Sequence, residues 1–91
     1  MSEVSAEPSD LSLYQTEWCP FCVRVRSALG SLGVEIELRD VSQSREHLSE
    51  LTQATGRQMV PCLRIDVDGG PPQWMHESSD IIAYLRDRFA P

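Results

Sequence analysis

Apolar residues recur along this chain with two alternating periods, and the changes of period mark out its elements. Leu11 to Gln15 alternates apolar and polar side chains in its first part, as a short strand does. From Pro20 to Leu32 the spacing becomes helical, with Val23, Val25, Ala28, Leu29 and Leu32 in step and Gly33 placed as a C-terminal cap. Val34 to Leu38 alternates again and puts Val34, Ile36 and Leu38 on one strand face. After the polar run RDVSQS, a helix around Arg45 to Thr55 is expected to bury Leu48, Leu51 and Ala54, to start from Ser42 or Ser44 and to stop at Gly56. VPCLRIDV reads as a third strand entered through Pro61. DGG at Asp68 to Gly70 then turns the chain into a short fourth strand near Gln73 to Met75. Ser78 or Ser79 caps a closing helix striped by Ile81, Ile82, Leu85 and Phe89.

The order is βαβαββα, an α/β fold with a mixed four-stranded sheet flanked by three helices. Helix-length crossovers predict parallel pairing of the first and third strands, and the short Gly-rich turn predicts an antiparallel fourth. Residues 1–10 offer little apolar surface and read as a flexible N-terminal tail, leaving 11–91 as the domain.

Composition narrows the classes of function. With 91 residues, 41% hydrophobic and 24% charged, the chain has the length of one domain and the balance of a folded one. All eight basic residues are arginine, and the net charge of −6 disfavours a nucleic-acid partner. No apolar run approaches the ~20 residues of a membrane span, and MSEVSAEPSD lacks the basic and apolar regions of a signal peptide. A cytoplasmic protein is therefore expected, with no membrane partner. Three cysteines, an odd number, are not a disulfide framework, and in a reducing compartment a Cys-x-x-Cys pair points to chemistry or metal binding.

That pair is Cys19 and Cys22 in EWCPFCVRVR. Cys19 falls where a strand gives way to a helix, so free backbone N–H groups and the positive end of the helix dipole favour its thiolate. Only the thiolate attacks disulfides. Pro20 loses no needed hydrogen bond in the first turn. Cys22 shares the helical face and is close enough to close a small ring with Cys19. Exposure and position make Cys19 the nucleophile and Cys22 the resolving thiol. Two small core residues would be the plain alternative, but the placement at a helix start favours a redox couple. Zinc needs four ligands, and Cys62, His47 and His76 do not complete a set, so no metal is expected.

WCPFC after the first strand, TGRQMVPCL before the third and ESSDIIAYL opening the last helix together resemble a glutaredoxin of the thioredoxin fold. The likeness runs from about Leu11 to Phe89. The last segment, with Glu77 and Ser78, is also similar to the N-terminal domain of glutathione transferases, which shares the fold. The resemblance implies a thiol-disulfide oxidoreductase with glutathione as reductant and co-substrate, acting on disulfide-containing or glutathionylated proteins, and a monomer. It implies a cis Pro61 facing the redox pair, where trans proline starting a strand is the alternative. Val60 would then offer its backbone N–H and C=O to a bound thiol as an added strand does. Ser78, Ser79 and Asp80 at the last helix would receive the γ-glutamyl end, and Arg57 would contact the glycine end. Serine and aspartate there are equally ordinary cap residues.

The sequence departs from the glutaredoxin pattern in three places. Many glutaredoxins carry lysine or arginine three residues before the first cysteine, and here Thr16 stands there. Phe21 replaces the commoner tyrosine and Met59 a usual threonine. Trp18 reads as a docking surface or a core contact, and Cys62 as an inert apolar residue. The missing cation leaves room for a redoxin reduced by a thioredoxin-reductase-like flavoenzyme. A non-catalytic module binding glutathione or an iron–sulfur cluster is a further alternative, disfavoured by Pro20 and the second cysteine. A glutathione transferase would be expected to carry a helical second domain for its second substrate.

Overall fold

The computed structural model describes residues 6–90. Its elements are β1 (Leu11–Gln15), α1 (Pro20–Leu32), β2 (Glu37–Asp40), α2 (Arg45–Thr55), β3 (Cys62–Ile65), β4 (Gln73–Met75) and α3 (Ser78–Phe89). They form a mixed sheet of order β2-β1-β3-β4. Local chemistry explains the helix ends. Gly33 takes φ 67, its N–H bonds the Gly30 carbonyl and that of Val34 bonds Leu29, so α1 closes in a left-handed cap. The Ser44 hydroxyl accepts the His47 N–H at the start of α2, and Gly56 (φ 72) ends it.

β1 is central and buried along its whole length, so its two faces feed two cores. Leu11 and Leu13 join Leu63 and Ile65 of β3 beneath Val25 and Leu29 of α1 and Ile81 and Leu85 of α3. On the other face Tyr14, Leu51 of α2 and Cys62 pack with Val41, Val60 and Trp74. The alternation of the strand pattern is what sends successive side chains to opposite layers.

Several expectations need correction. β1 and β3 are antiparallel, not parallel: Leu11 faces Ile65 and Tyr14 faces Cys62. The parallel pair is β1 with β2. An intervening helix does not by itself set strand direction, and here α2 reaches the core chiefly through Leu51, with Ala54 exposed. The second strand begins at Glu37, three residues late. Val34 and Ile36 are buried as expected, while Leu38 is 46% exposed because β2 is an edge strand. Glu77 rather than either serine is the N-cap of α3. Of the expected tail, residues 1–5 lie outside the described residues, whereas 6–10 are held. Ala6 bridges Val34, Glu35 N–H bonds the Ala6 carbonyl, and Arg88 pairs with Asp10 through two bonds of 2.9 and 3.0 Å.

Candidate active site

The direction of β3 decides where the site forms. β1 ends at Gln15 and leads to Cys19, and antiparallel β3 begins beside that end, so Pro61 arrives next to the cysteine. β4 in turn runs against β3, with Met75 opposite Leu63, so the chain enters α3 at the same edge of the sheet. Three segments far apart in sequence thus meet at one rim.

Cys19 is the N-cap of α1, with φ −72 and ψ 121 and Pro20 in the first helical position. Its own side chain makes no capping bond, so the sulfur is free to turn toward the neighbouring loop. There it lies 4.0 Å from the Val60 carbonyl oxygen. The Val60–Pro61 peptide is cis. Partial burial pushes the Cys19 thiol up, but the N–H and thiol of Cys22, the N–H of Phe21 and the charge of Arg26 outweigh it and hold the thiol below the ordinary cysteine value. Cys22 is fully buried, one turn deeper. Burial, the hydrogen bond with Cys19 and the Cys19 charge push its thiol up to about 11, against the Thr16 N–H and Arg26, which favour its thiolate. The two sulfurs are therefore poised oppositely, a partly exposed acid beside a buried, protonated donor. All three cysteines are free thiols.

Beside Val60 and Pro61 opens a cavity of about 330 Å³, lined by Phe21, Met59, Val60, Pro61, His76, Glu77 and Ser78. Of the residues expected to hold glutathione, Val60, Pro61 and Ser78 line it. Ser79 and Asp80 follow in the first turn of α3, exposed and outside the lining. Arg57 is exposed and makes no ion pair among the described residues. Trp18 is 87% exposed beside Cys19, which decides between surface and core for that ring. Cys62 is fully buried and its thiol is pushed up to about 12 by that burial, as befits an inert residue. Its sulfur lies 3.9 Å from His76 Nε2.

Sequence reasoning passed over His76 as a lining residue and Arg26 altogether. His76 carried no signal beyond its place before Glu77. Arg26 did: it stands four residues after Cys22 and seven after Cys19, on their side of α1. Among the described residues no cluster of three or more histidine, cysteine or acidic side chains could hold a metal ion, and no helix is long and apolar enough to cross a membrane.

The family described as Glutathione S-transferase, N-terminal domain, matches residues 13–91. Glutaredoxin 3 of Escherichia coli (strain K12) is 29% identical over 58 residues, which are 64% of this chain and 70% of that protein. Among solved structures, a trimeric glutathione transferase of Leishmania superposes with a TM-score of 0.73 at 31% identity, covering 89% of this chain and 18% of that one. A diazinon-metabolizing glutathione S-transferase of the silkworm Bombyx mori superposes with a TM-score of 0.68 at 29% identity, over 89% of this chain and 38% of that one. The chain thus spans well under half of the transferase chains it matches. Both resemblances noted in the sequence are found, and the transferase likeness reaches far beyond the closing helix. The chain belongs to the glutathione S-transferase N-terminal domain family.

Proposed function

We propose that this domain is a glutathione-dependent thiol-disulfide oxidoreductase, reducing protein disulfides and glutathione mixed disulfides through Cys19 and Cys22. The observation that carries the reading is the opposite poise of the two sulfurs, with the acidic one partly exposed at a helix start beside the Val60 carbonyl. The Cys19 thiolate attacks one sulfur of a substrate disulfide. A mixed disulfide forms, the old S–S bond breaks, and the departing thiolate takes a proton. Once Cys19 is bonded, its charge no longer opposes ionisation of Cys22. Cys22 then loses its proton, attacks the Cys19 sulfur and releases the second thiol, leaving a Cys19–Cys22 disulfide. Two molecules of glutathione reduce that bond and leave as glutathione disulfide. For a glutathionylated substrate, glutathione itself attacks the Cys19 adduct.

Three features support glutathione as the reductant: the similarity to Glutaredoxin 3, the cavity between Val60 and α3, and Arg57 as a cation free for a carboxylate. In α3 the first-turn N–H groups suit the other carboxylate, and Asp80 an amino group. A reducing, cytoplasmic setting suits the mechanism, because it keeps glutathione in its thiol form.

The test is turnover of a glutathionylated peptide with glutathione and glutathione reductase as the sole electron source. Turnover is expected, and Cys19→Ser should abolish it. Absence of turnover, with a Cys19–Cys22 disulfide that thioredoxin reductase still reduces, would move the domain to a flavoenzyme-reduced redoxin. The transferase matches favour a second reading, in which the domain activates glutathione for conjugation. Conjugation of an electrophile without thiol exchange would select it.

A further inference from the structure

We propose that Arg26 is a positioning residue of the Cys19–Cys22 pair: from two turns inside α1 it ties down the loop between β1 and α1 and supplies the positive charge that the loop lacks. The inference rests on Cys19 being the reacting thiolate. The expected place for a cation, three residues before Cys19, holds Thr16. Arg26 reaches the same loop from the helix. Its Nη1 donates to the Gln15 side-chain oxygen and, at 3.2 Å, to the Thr16 carbonyl, while Nη2 donates to the Glu17 carbonyl at 3.0 Å. One planar guanidinium thus spans three consecutive residues, a geometry that its rigid fork suits and a lysine ammonium does not.

Two consequences follow. First, Gln15 is buried, and its side-chain oxygen would otherwise lack a strong donor. With it and the Thr16 carbonyl held, the Thr16 backbone stays where its N–H favours the Cys22 thiolate that must form for resolution. Second, all three partners are neutral oxygens, and no carboxylate pairs with Arg26 among the described residues. Its charge is therefore not tied up in a contact ion pair; the Asp40 carboxylate feels it at longer range, and it acts on both sulfurs. The other ionisable groups around the pair are Glu17 in the loop, Asp40 at the end of β2, and His76 and Glu77 at the cavity wall.

The experiment follows alkylation of Cys19 by iodoacetamide against pH, with the label mapped by mass spectrometry and thermal unfolding recorded in parallel. Arg26→Gln should move the alkylation midpoint upward and slow labelling at pH 6 roughly three- to tenfold. Arg26→Lys, which keeps the charge, should hold the midpoint near that of the wild type while slowing release of the substrate thiol by Cys22. Arg24→Gln, an exposed arginine two residues away, should change neither. A lower melting temperature for Arg26→Gln with an unmoved midpoint would make Arg26 merely structural and overturn the proposal. If Arg26→Gln does not fold, Arg26→Lys carries the test, and an upward shift in that variant overturns it. Alkylation uses no glutathione. Wild-type protein that labels at low pH yet turns over no glutathione substrate would sink the proposed function and leave this inference standing.

Discussion

Replacing Cys22 by alanine and by serine separates the two tasks its position gives it. In the dithiol the Cys22 backbone N–H and its thiol both favour the Cys19 thiolate. Alanine removes only the second. A hydrogen bond to a charged acceptor contributes about 1.5–3 kcal/mol, but a thiol is a weak donor and Cys19 is partly exposed. About 1 kcal/mol is the appropriate figure, equivalent to a roughly fivefold fall in the Cys19 acid dissociation constant. Serine keeps a donor on an arm of similar reach and should restore most of that loss. The assay is ultraviolet thiolate absorbance titrated against pH, with Cys62 silent below the strongly alkaline range because burial pushes it to about 12. Coincident titrations for Cys22→Ala and the wild type, or serine following alanine, would refute the account. The same serine variant should still turn over glutathione mixed disulfides while losing much of its activity on protein disulfides. Equal loss of both would show that the two sulfurs do not divide the reaction as proposed.

Other consequences can be measured directly. Trp18→Ala should slow protein disulfide reduction more than turnover of small mixed disulfides, because the ring is 87% exposed beside Cys19; equal effects would exclude protein docking there. Leu51→Ala opens the core beneath α2 and should cost about 3 kcal/mol, on the order of 15 °C in Tm, as read by thermal unfolding. Asp10→Asn should cost no more than about 1 kcal/mol, since its pair with Arg88 is half exposed. The Arg88 hydrogen bond outweighs burial and holds the Asp10 carboxyl below its ordinary value. Its contribution is thus present above the unfolded value of ~3.9 and lost as pH falls through the lower, folded value; a mutant deficit that failed to shrink as the solution is acidified would contradict this.

The helix boundaries were legible because they depend on neighbours in sequence. Gly33, Ser44 and Gly56 close or open their helices through bonds to residues within five positions. The cysteine pair was legible for the same reason, since the strand-to-helix junction that makes Cys19 acidic is local. The site's other half, Val60, Pro61 and Ser78, was reached through the family resemblance and not through any local pattern. Leu38 belongs to the apolar alternation of its segment and is nonetheless exposed, because being at a sheet edge is a property of strand order rather than of pattern. Ala6 offers no apolar argument for order, yet its backbone pairs with the segment after α1.

By itself, then, the sequence determined the seven elements and the place of the cysteine pair at a helix start, set by periodicity and capping over a few residues. Only the tertiary structure decided that β3 runs against β1. That direction brings Val60 to Cys19 across 41 residues of chain and sets α3 at the same rim. Such choices rest on which buried faces and hydrogen-bonding groups satisfy one another across the fold, and no local pattern encodes them.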